Sequence, residues 1–331
     1  MLKALSPANI GAIYVWIIII VFFSIIVPDT FPTSTTAKSI LNQYSITGLV
    51  ALSLVVPLAA SHYDLSIGFI MGLSGMIVVK LLTTTALSPA VCIGIALVAC
   101  LVIGLVNAFV VIGLGVHSFI GTLGTGAILS AITIGISNNE TLTVSGSVGK
   151  SFSKIANADF LGLNLPVLYL VIAMLLLAYW LERTKTGRYM YAIGYDSETS
   201  RLTGLPVNRL GVVAFLTSAL LAGIAGIVLA SRVASASPEV GSSYLIPAFS
   251  AAFLGATQFR HGRFNPWGTV IAVLLIGTGD VGLLLAGGPV WTSQLFQGVV
   301  LVAAVALTGF GNSAIREFIL SARVRSASSK E

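Results

Sequence analysis

The chain has 331 residues, of which 56% are hydrophobic and only 8% charged, and its mean hydropathy is +1.00. Soluble domains carry about 25% charged residues, so this composition cannot cover a water-facing surface and excludes a soluble globular protein. The net charge of +6 would suggest nucleic acid in a soluble protein, but here the basic residues sit in short loops between apolar runs, where they set orientation in a bilayer.

A membrane-crossing helix needs about 20 apolar residues. Taken in order, the runs Ile10–Val27, Ser45–Ala60, Ile67–Leu82, Pro89–Ile112, Phe119–Ile136, Pro166–Leu181, Leu210–Ser231, Tyr244–Ala256, Trp267–Ala286 and Trp291–Phe310 predict ten spans. The first lacks a small-x-small cleavage site and ends on Pro28 and Asp29, so it reads as a span and not as a removable signal. The eighth is short, and the third begins beside a charge. The fold class expected is an all-α integral membrane protein, a single transmembrane unit over 1–331.

With the N-terminus inside, alternation puts twelve of the 17 basic residues on the inner side: Lys3, the group from Arg183 to Arg209, Arg260 and Arg263, and four in the tail 311–331. The outer side keeps Lys38, Lys80, Lys150, Lys154 and Arg232. An odd number of spans would lose this bias, which supports both termini inside. Two polar stretches stand out, an outer loop at 137–165 and a charge-dense inner loop at 182–208. No stretch is long enough for a soluble domain, so an ATPase or ligand-capturing module belongs to another polypeptide.

Cys92 and Cys100 are eight residues apart in one apolar run, too far along a helix for a disulfide. His62, His117 and His261 are scattered, and no metal site is expected. Small residues at Gly68 and Gly72, and at Ser218, Ala222 and Gly226, have the spacing that lets helices approach closely. The two halves share a span count but no residue pattern. The stretch Ser145-Gly-Ser-Val-Gly-Lys-Ser151 looks like the end of a phosphate-binding loop, but Val144 stands where the first glycine belongs and no strand is expected before it. It is read as a solvated loop.

In the inner loop, Asp196 or Ser197 is a plausible N-cap for a short helix ended by Gly204, with Pro206 beyond. Such a helix suits docking to a soluble partner. Asp64, at the start of the third span, and Asp280, inside the ninth, are buried-charge candidates. Asp64 also reads as a helix cap at the inner surface. Asp280 also reads as a bond between two helices. No clustered nucleophile, base or metal ligand suggests an enzyme.

The stretch from Thr186 to Leu205, Thr-Gly-Arg-Tyr-Met-Tyr-Ala-Ile-Gly-Tyr-Asp-Ser-Glu-Thr-Ser-Arg-Leu-Thr-Gly-Leu, resembles the cytoplasmic loop of ribose/xylose/galactose-type ATP-binding cassette (ABC) permeases. Asp64-Leu-Ser-Ile-Gly68, Asn107, Phe119-Ile-Gly-Thr-Leu-Gly124 and the region from Ile276-Gly-Thr-Gly-Asp280 through Trp291 to Gly298 match the same family in the same order. The departures are Ser61 and His62 for a Gly-Gly pair, Ser130 and Ala131 for an Arg-Gly pair, Gly255-Ala256 for another Gly-Gly, and Asp280-Val281 for an Asn pair.

The resemblance implies a permease subunit in the bacterial cytoplasmic membrane that translocates a monosaccharide or similar polyol. It implies a homodimer on ABC ATPase domains that hold ATP and Mg, fed by a periplasmic substrate-binding protein, with no cofactor on this chain and no nucleic-acid partner. Coupling to the ATPase would fall on Gly187, Arg188, Ala192, Gly194, Ser197, Glu198, Arg201 and Gly204. The pathway would fall on Asp64, Ser66, Asn107, Phe119, Thr122 and Asp280. A permease for another small solute, such as a branched amino acid, and a stand-alone secondary transporter are the alternative readings.

Overall fold

The computed structural model describes residues 7–259 and 262–309. Lys3, Arg260, His261 and the tail 311–331 lie outside the described residues. The described chain is helical throughout its apolar runs, as hydrocarbon demands, because a helix satisfies its backbone polar groups within one segment. In chain order the helices are α1 (Pro7–Ile26), α2 (Ser34–Ala59), α3 (Ile67–Thr84), α4 (Pro89–Ala108, continued by a π-helical turn Phe109–Gly113), α5 (Ser118–Ser137), α6 (Gly146–Asn157), α7 (Leu165–Arg183), α8 (Lys185–Tyr195), α9 (Ser197–Leu202), α10 (Val207–Val233), α11 (Leu245–Ala256), α12 (Pro266–Leu285) and α13 (Val290–Gly309). Seven are long and apolar enough to cross a membrane, and three shorter apolar stretches, within α1, α11 and α13, complete the ten expected runs.

Proline at the first or second position starts α4, α7 and α12, where its missing N–H costs nothing. The long helices α2 and α10 form the centre, with α3, α11 and α12 packed on them. The most apolar stretch of α2 is 78% buried, against 28% for α7, so α4, α5 and α7 lie at the rim of the bundle.

The contacts repeat. α3 packs on α4, α5 and α10, while α11 packs on α12, α13 and α2. In each half a long helix (α2 or α10) leads into an irregular segment and a helix that starts deep in the bundle. Asn42, in the first half of α2, meets Arg232, at the end of α10, so the two helices run in opposite directions and the contact pattern of one half recurs inverted in the other. This repeat left no residue pattern, since packing constrains residue size and polarity at each level more than identity.

The turn at 60–61 and the connectors 114–117, 184–206, 257–259 and 262–265 lie toward one end of the bundle. Ser61 Oγ donates to Gly194 O at 2.7 Å, Tyr63 N to Ser118 Oγ at 3.0 Å, and Tyr191 OH to Phe264 O at 2.9 Å. At the other end, Asn164 N donates to Asn42 Oδ1 at 3.0 Å and the Arg232 guanidinium to Asn42 O at 2.9 Å.

The stretch 137–165 is more folded than its composition suggests. Strand β1 (Leu142–Thr143) pairs antiparallel with β4 (Ser235–Ala236), and β2 (Asp159–Phe160) pairs with β3 (Leu163–Asn164). Between them α6 is amphipathic and buries Phe152 completely, with Ser231 Oγ donating to Phe152 O at 2.7 Å. The expectation that no strand precedes the lysine of this loop is corrected: β1 does. It has two residues and pairs only with β4. A Cβ on Gly149 would strike Val144 O, so this glycine lets α6 close against its own entry.

Candidate functional site

The loop 182–208 is built from two capped helices where one was expected. Thr184 Oγ1 accepts from Gly187 N at 3.2 Å and starts α8. Asp196 then caps α9: Oδ1 accepts from Glu198 N and Thr199 N, both at 3.0 Å, and Oδ2 accepts from Thr199 Oγ1 at 2.5 Å. The Thr199 hydroxyl and the Thr199 and Glu198 amides hold the Asp196 carboxyl below its ordinary range, because each favours the charged form. Gly204 ends the unit at φ 84, a conformation that glycine adopts without strain.

The unit is fixed to the bundle through its glycines. A Cβ on Gly187 would strike Trp180 O and the Leu181 backbone, and one on Gly194 would strike Ala59 O at the end of α2. Met190 and Ile193 are buried beneath α8, and the Arg263 guanidinium lies 5.3 Å from the centre of the Tyr191 ring. Of the residues singled out in the sequence, Gly187 is buried, Ala192 and Gly194 are half-buried against the bundle, and Arg188, Ser197, Glu198, Arg201 and Gly204 are exposed. Two residues not singled out are Tyr195, 94% exposed, and Leu202, 84% exposed.

The second cluster lies deep in the bundle. After α2 ends, the chain turns at Ser61, which takes φ 58, where the resembled family carries glycine. It then re-enters the bundle as the irregular segment 62–66. Asp64 is fully buried there: Oδ1 accepts from Ser66 N at 3.1 Å and from Ser66 Oγ at 2.5 Å, and Oδ2 accepts from Ser218 Oγ at 2.7 Å. Asn107 Nδ2 donates to Ser66 Oγ at 2.7 Å, and Leu65 N donates to Thr122 Oγ1 at 2.9 Å. Asn107 Oδ1 is buried without a partner among the described residues.

Ser218 is the twelfth of the 27 residues of α10, about 16 Å along the axis from Val207 at 1.5 Å per residue. Asp64 is therefore near mid-depth and not at the inner surface, which corrects the reading of it as a surface cap. The cap position of α3 is Ser66, and its side chain makes no capping bond.

Asp64, Ser66, Asn107 and Thr122 thus form one network joining α3, α4, α5 and α10. Phe119 does not join it; it is 46% exposed on the outside of α5. Asp280 belongs to a separate cluster in the other half. Its Oδ2 accepts from Tyr44 OH at 2.7 Å and from Gln297 Nε2 at 2.5 Å, tying α2, α12 and α13, while Oδ1 is buried without a partner among the described residues. From the sequence, Ser218 reads only as a small packing residue, and Tyr44 and Gln297 are not singled out. The available signal was Gln297, an amide inside the last apolar run.

The segment after α10 also re-enters. Past β4 it descends until Gly241 lies against Gly68, so close that a Cβ on Gly241 would strike Gly68 O. Gly68 and Gly72 therefore receive this segment, with Leu245 of α11 also against Gly68, while Gly226 receives α3, pressed on Met71 O and Ser74 Oγ. Two irregular segments meet at depth, one from each end. Non-helical backbone at membrane depth is tolerated only where protein or a water-filled path surrounds it.

A family model described as "Branched-chain amino acid transport system / permease component" matches residues 36–305, most of the chain. The chain belongs to this family of transport permeases. Among curated relatives, it is 31% identical over 303 residues to the D-allose transport system permease protein AlsC of Escherichia coli (strain K12), covering 90% of each chain. It is 30% identical to the ribose import permease protein RbsC of Bacillus subtilis (strain 168), covering 88% of this chain and 89% of that one. It is 31% identical to the fructose import permease protein FrcC of Rhizobium meliloti, covering 91% and 85% respectively. No solved structure matches the chain. The resemblance read from the ordered motifs is thereby borne out at the level of the family.

Proposed function

We propose that this permease is the membrane-spanning subunit of an ABC importer that carries a monosaccharide or similar polyol, delivered by a substrate-binding protein, across a bacterial cytoplasmic membrane. The observation that carries the reading is the match along about 90% of both chains to permeases named for allose and ribose, and nearly as fully to one named for fructose. The family model's own description names branched-chain amino acids, which keeps a second solute class in view; the sugar permeases, matched along most of their length, weigh against it.

In this reading both termini are cytoplasmic, and the end of the bundle carrying 184–206 faces the ATPase. ATP and Mg are held by that partner chain, and this chain does no chemistry. Two copies pair with the path between them, and the whole chain is one transmembrane unit. The α8–α9 unit is the coupling element: Tyr195, Leu202, Arg188, Glu198 and Arg201 meet the ATPase, and Gly194, set against the end of α2, passes its displacement to the bundle. The deep network of Asp64, Ser66, Asn107 and Thr122, the separate Asp280 and the exposed Phe119 belong to the moving path. A single ionisable residue and unbroken spans would have set this chain apart from a secondary transporter. It has two deep carboxylates and two re-entrant segments, so that distinction rests instead on family membership and on the docking unit.

The test is purification of the permease with the ATPase encoded beside it. Replacing Gly194 with Leu, or Arg201 with Glu, should leave insertion intact and break the link between ATP hydrolysis and uptake. Normal uptake in both variants would sink the coupling assignment.

A further inference from the structure

Where the two re-entrant segments meet, a cavity of about 200 Å³ opens between α3, α5 and the stretch before α11. A cavity needs only about 10–15 Å³ of such space to hold one water, so this one has room for a small solute. Its lining includes Phe69, Ser130, Thr133, Glu239 and Ser242. The Glu239 carboxylate is exposed, and neither it nor the Ser130 hydroxyl has a hydrogen-bond or ion-pair partner among the described residues. Thr133 Oγ1 donates to Leu129 O and Ser242 Oγ to Glu239 O, so both hydroxyls keep lone pairs directed to other donors.

We propose that this cavity is a polyol-binding station of the permease itself, where Glu239 and Ser130 take sugar hydroxyls and Phe69 offers an apolar wall to the ring. The proposal rests on the sugar-importer reading above and adds that part of the selectivity lies in this chain. The donor set favours a polyol over a bare cation, since calcium takes six to eight oxygens and this cavity supplies one carboxylate and a few hydroxyls. A carboxylate accepting from a neutral hydroxyl makes a charge-assisted bond, roughly twice as strong as a neutral one. Position agrees with this role. Gly72, which the cavity reaches, lies just past Met71, the residue Gly226 presses on, in the last third of α10 and on the side of the bundle opposite the α8–α9 unit. A solute arriving from a binding protein would meet it before the deep network at Asp64.

The experiment uses the complete importer in vesicles, with saturating binding protein loaded with ribose, allose or fructose, or with each of their single-deoxy analogues. The readout is the flux ratio of parent to deoxy sugar, in wild type and in Glu239→Ala and Ser130→Ala. The same binding protein serves every arm, so its own selectivity cancels between variants. For one hydroxyl position, Glu239→Ala should reduce the ratio about ten-fold, the loss expected for a hydrogen bond to a charged group, while ATPase stimulation shows that the complex still assembles. Wild-type flux with ratios unchanged in both variants would overturn the station and leave the importer reading standing. A uniform fall in flux with unchanged ratios would also overturn it, since a purely structural role cannot distinguish hydroxyls. Absence of any sugar flux in the wild type would overturn both.

Discussion

At the scale of single residues, the deep carboxylates govern. Asp64 takes three hydrogen bonds, and its removal leaves the Ser66 and Ser218 hydroxyls buried without their acceptor. Each orphaned group costs about 1–3 kcal/mol, so Asp64→Ala should lower the unfolding temperature of the purified permease clearly. Asp64→Asn keeps an acceptor for Ser66 and should cost less; equal losses in the two variants would contradict the network. Asp280→Asn retains an oxygen for Tyr44 and Gln297 and should leave transport nearly intact. A complete loss of transport with normal assembly would instead show that its charge is used. Both aspartates were legible in the sequence because a charge in an apolar run is conspicuous. Their partners were not: Ser218 reads as one more small residue in a stripe, and Tyr44 as the edge of a span. Partnership across 154 residues, as between Asp64 and Ser218, is set by packing and leaves no local mark.

At the scale of elements, the α8–α9 unit makes the sharpest claim. Its second helix hangs on Asp196. Because that carboxyl titrates below the ordinary value of 3.8, the stabilisation it gives is complete above 3.8 and is lost as pH falls through the lower folded value. Amide exchange in Glu198 and Thr199 should therefore stay slow down to that value and accelerate below it. Asp196→Ala should show fast exchange at neutral pH, and Asp196→Asn, a comparable cap, should not. Slow exchange in the alanine variant would remove Asp196 from its role. The cap, the Gly204 stop and the short helix could be read from the chain, because capping is local chemistry. The preceding helix α8 could not, since Gly187 and Gly194 look like helix breakers until the backbone they lie against is seen. The third and eighth spans looked weak for the same reason: each is a helix that begins within the bundle, and hydropathy counts residues without showing where the chain re-enters.

At the scale of the whole molecule, span number and order were legible, because a bilayer imposes length and apolarity on every crossing. The inverted repeat was not, because it lives in which helices touch. It also predicts where the bundle is least forgiving. The α3–α10 contact at Gly226 and the meeting of Gly68 with Gly241 have no space for a side chain, so Gly226→Leu or Gly241→Leu should cost at least the 1–3 kcal/mol typical of overpacking. Gly124 and Gly135, where a Cβ meets nothing within 4 Å, should tolerate alanine by the same melting assay. Orientation is a separate expectation, from the distribution of the basic residues. Cysteines placed at Arg188 and at Lys154 should be labelled from opposite sides of sealed vesicles, the first from the cytoplasmic side, and labelling of both from one side would refute the assigned topology.

The measurement that bears most directly on the central claim is ATP hydrolysis by the permease–ATPase complex in lipid vesicles, with and without sugar-loaded binding protein. Stimulation by the loaded binding protein, accompanied by sugar entering the vesicles, is the expected result. No co-purifying ATPase, together with solute flux driven by an ion gradient alone, would contradict the account and make this chain a self-sufficient transporter.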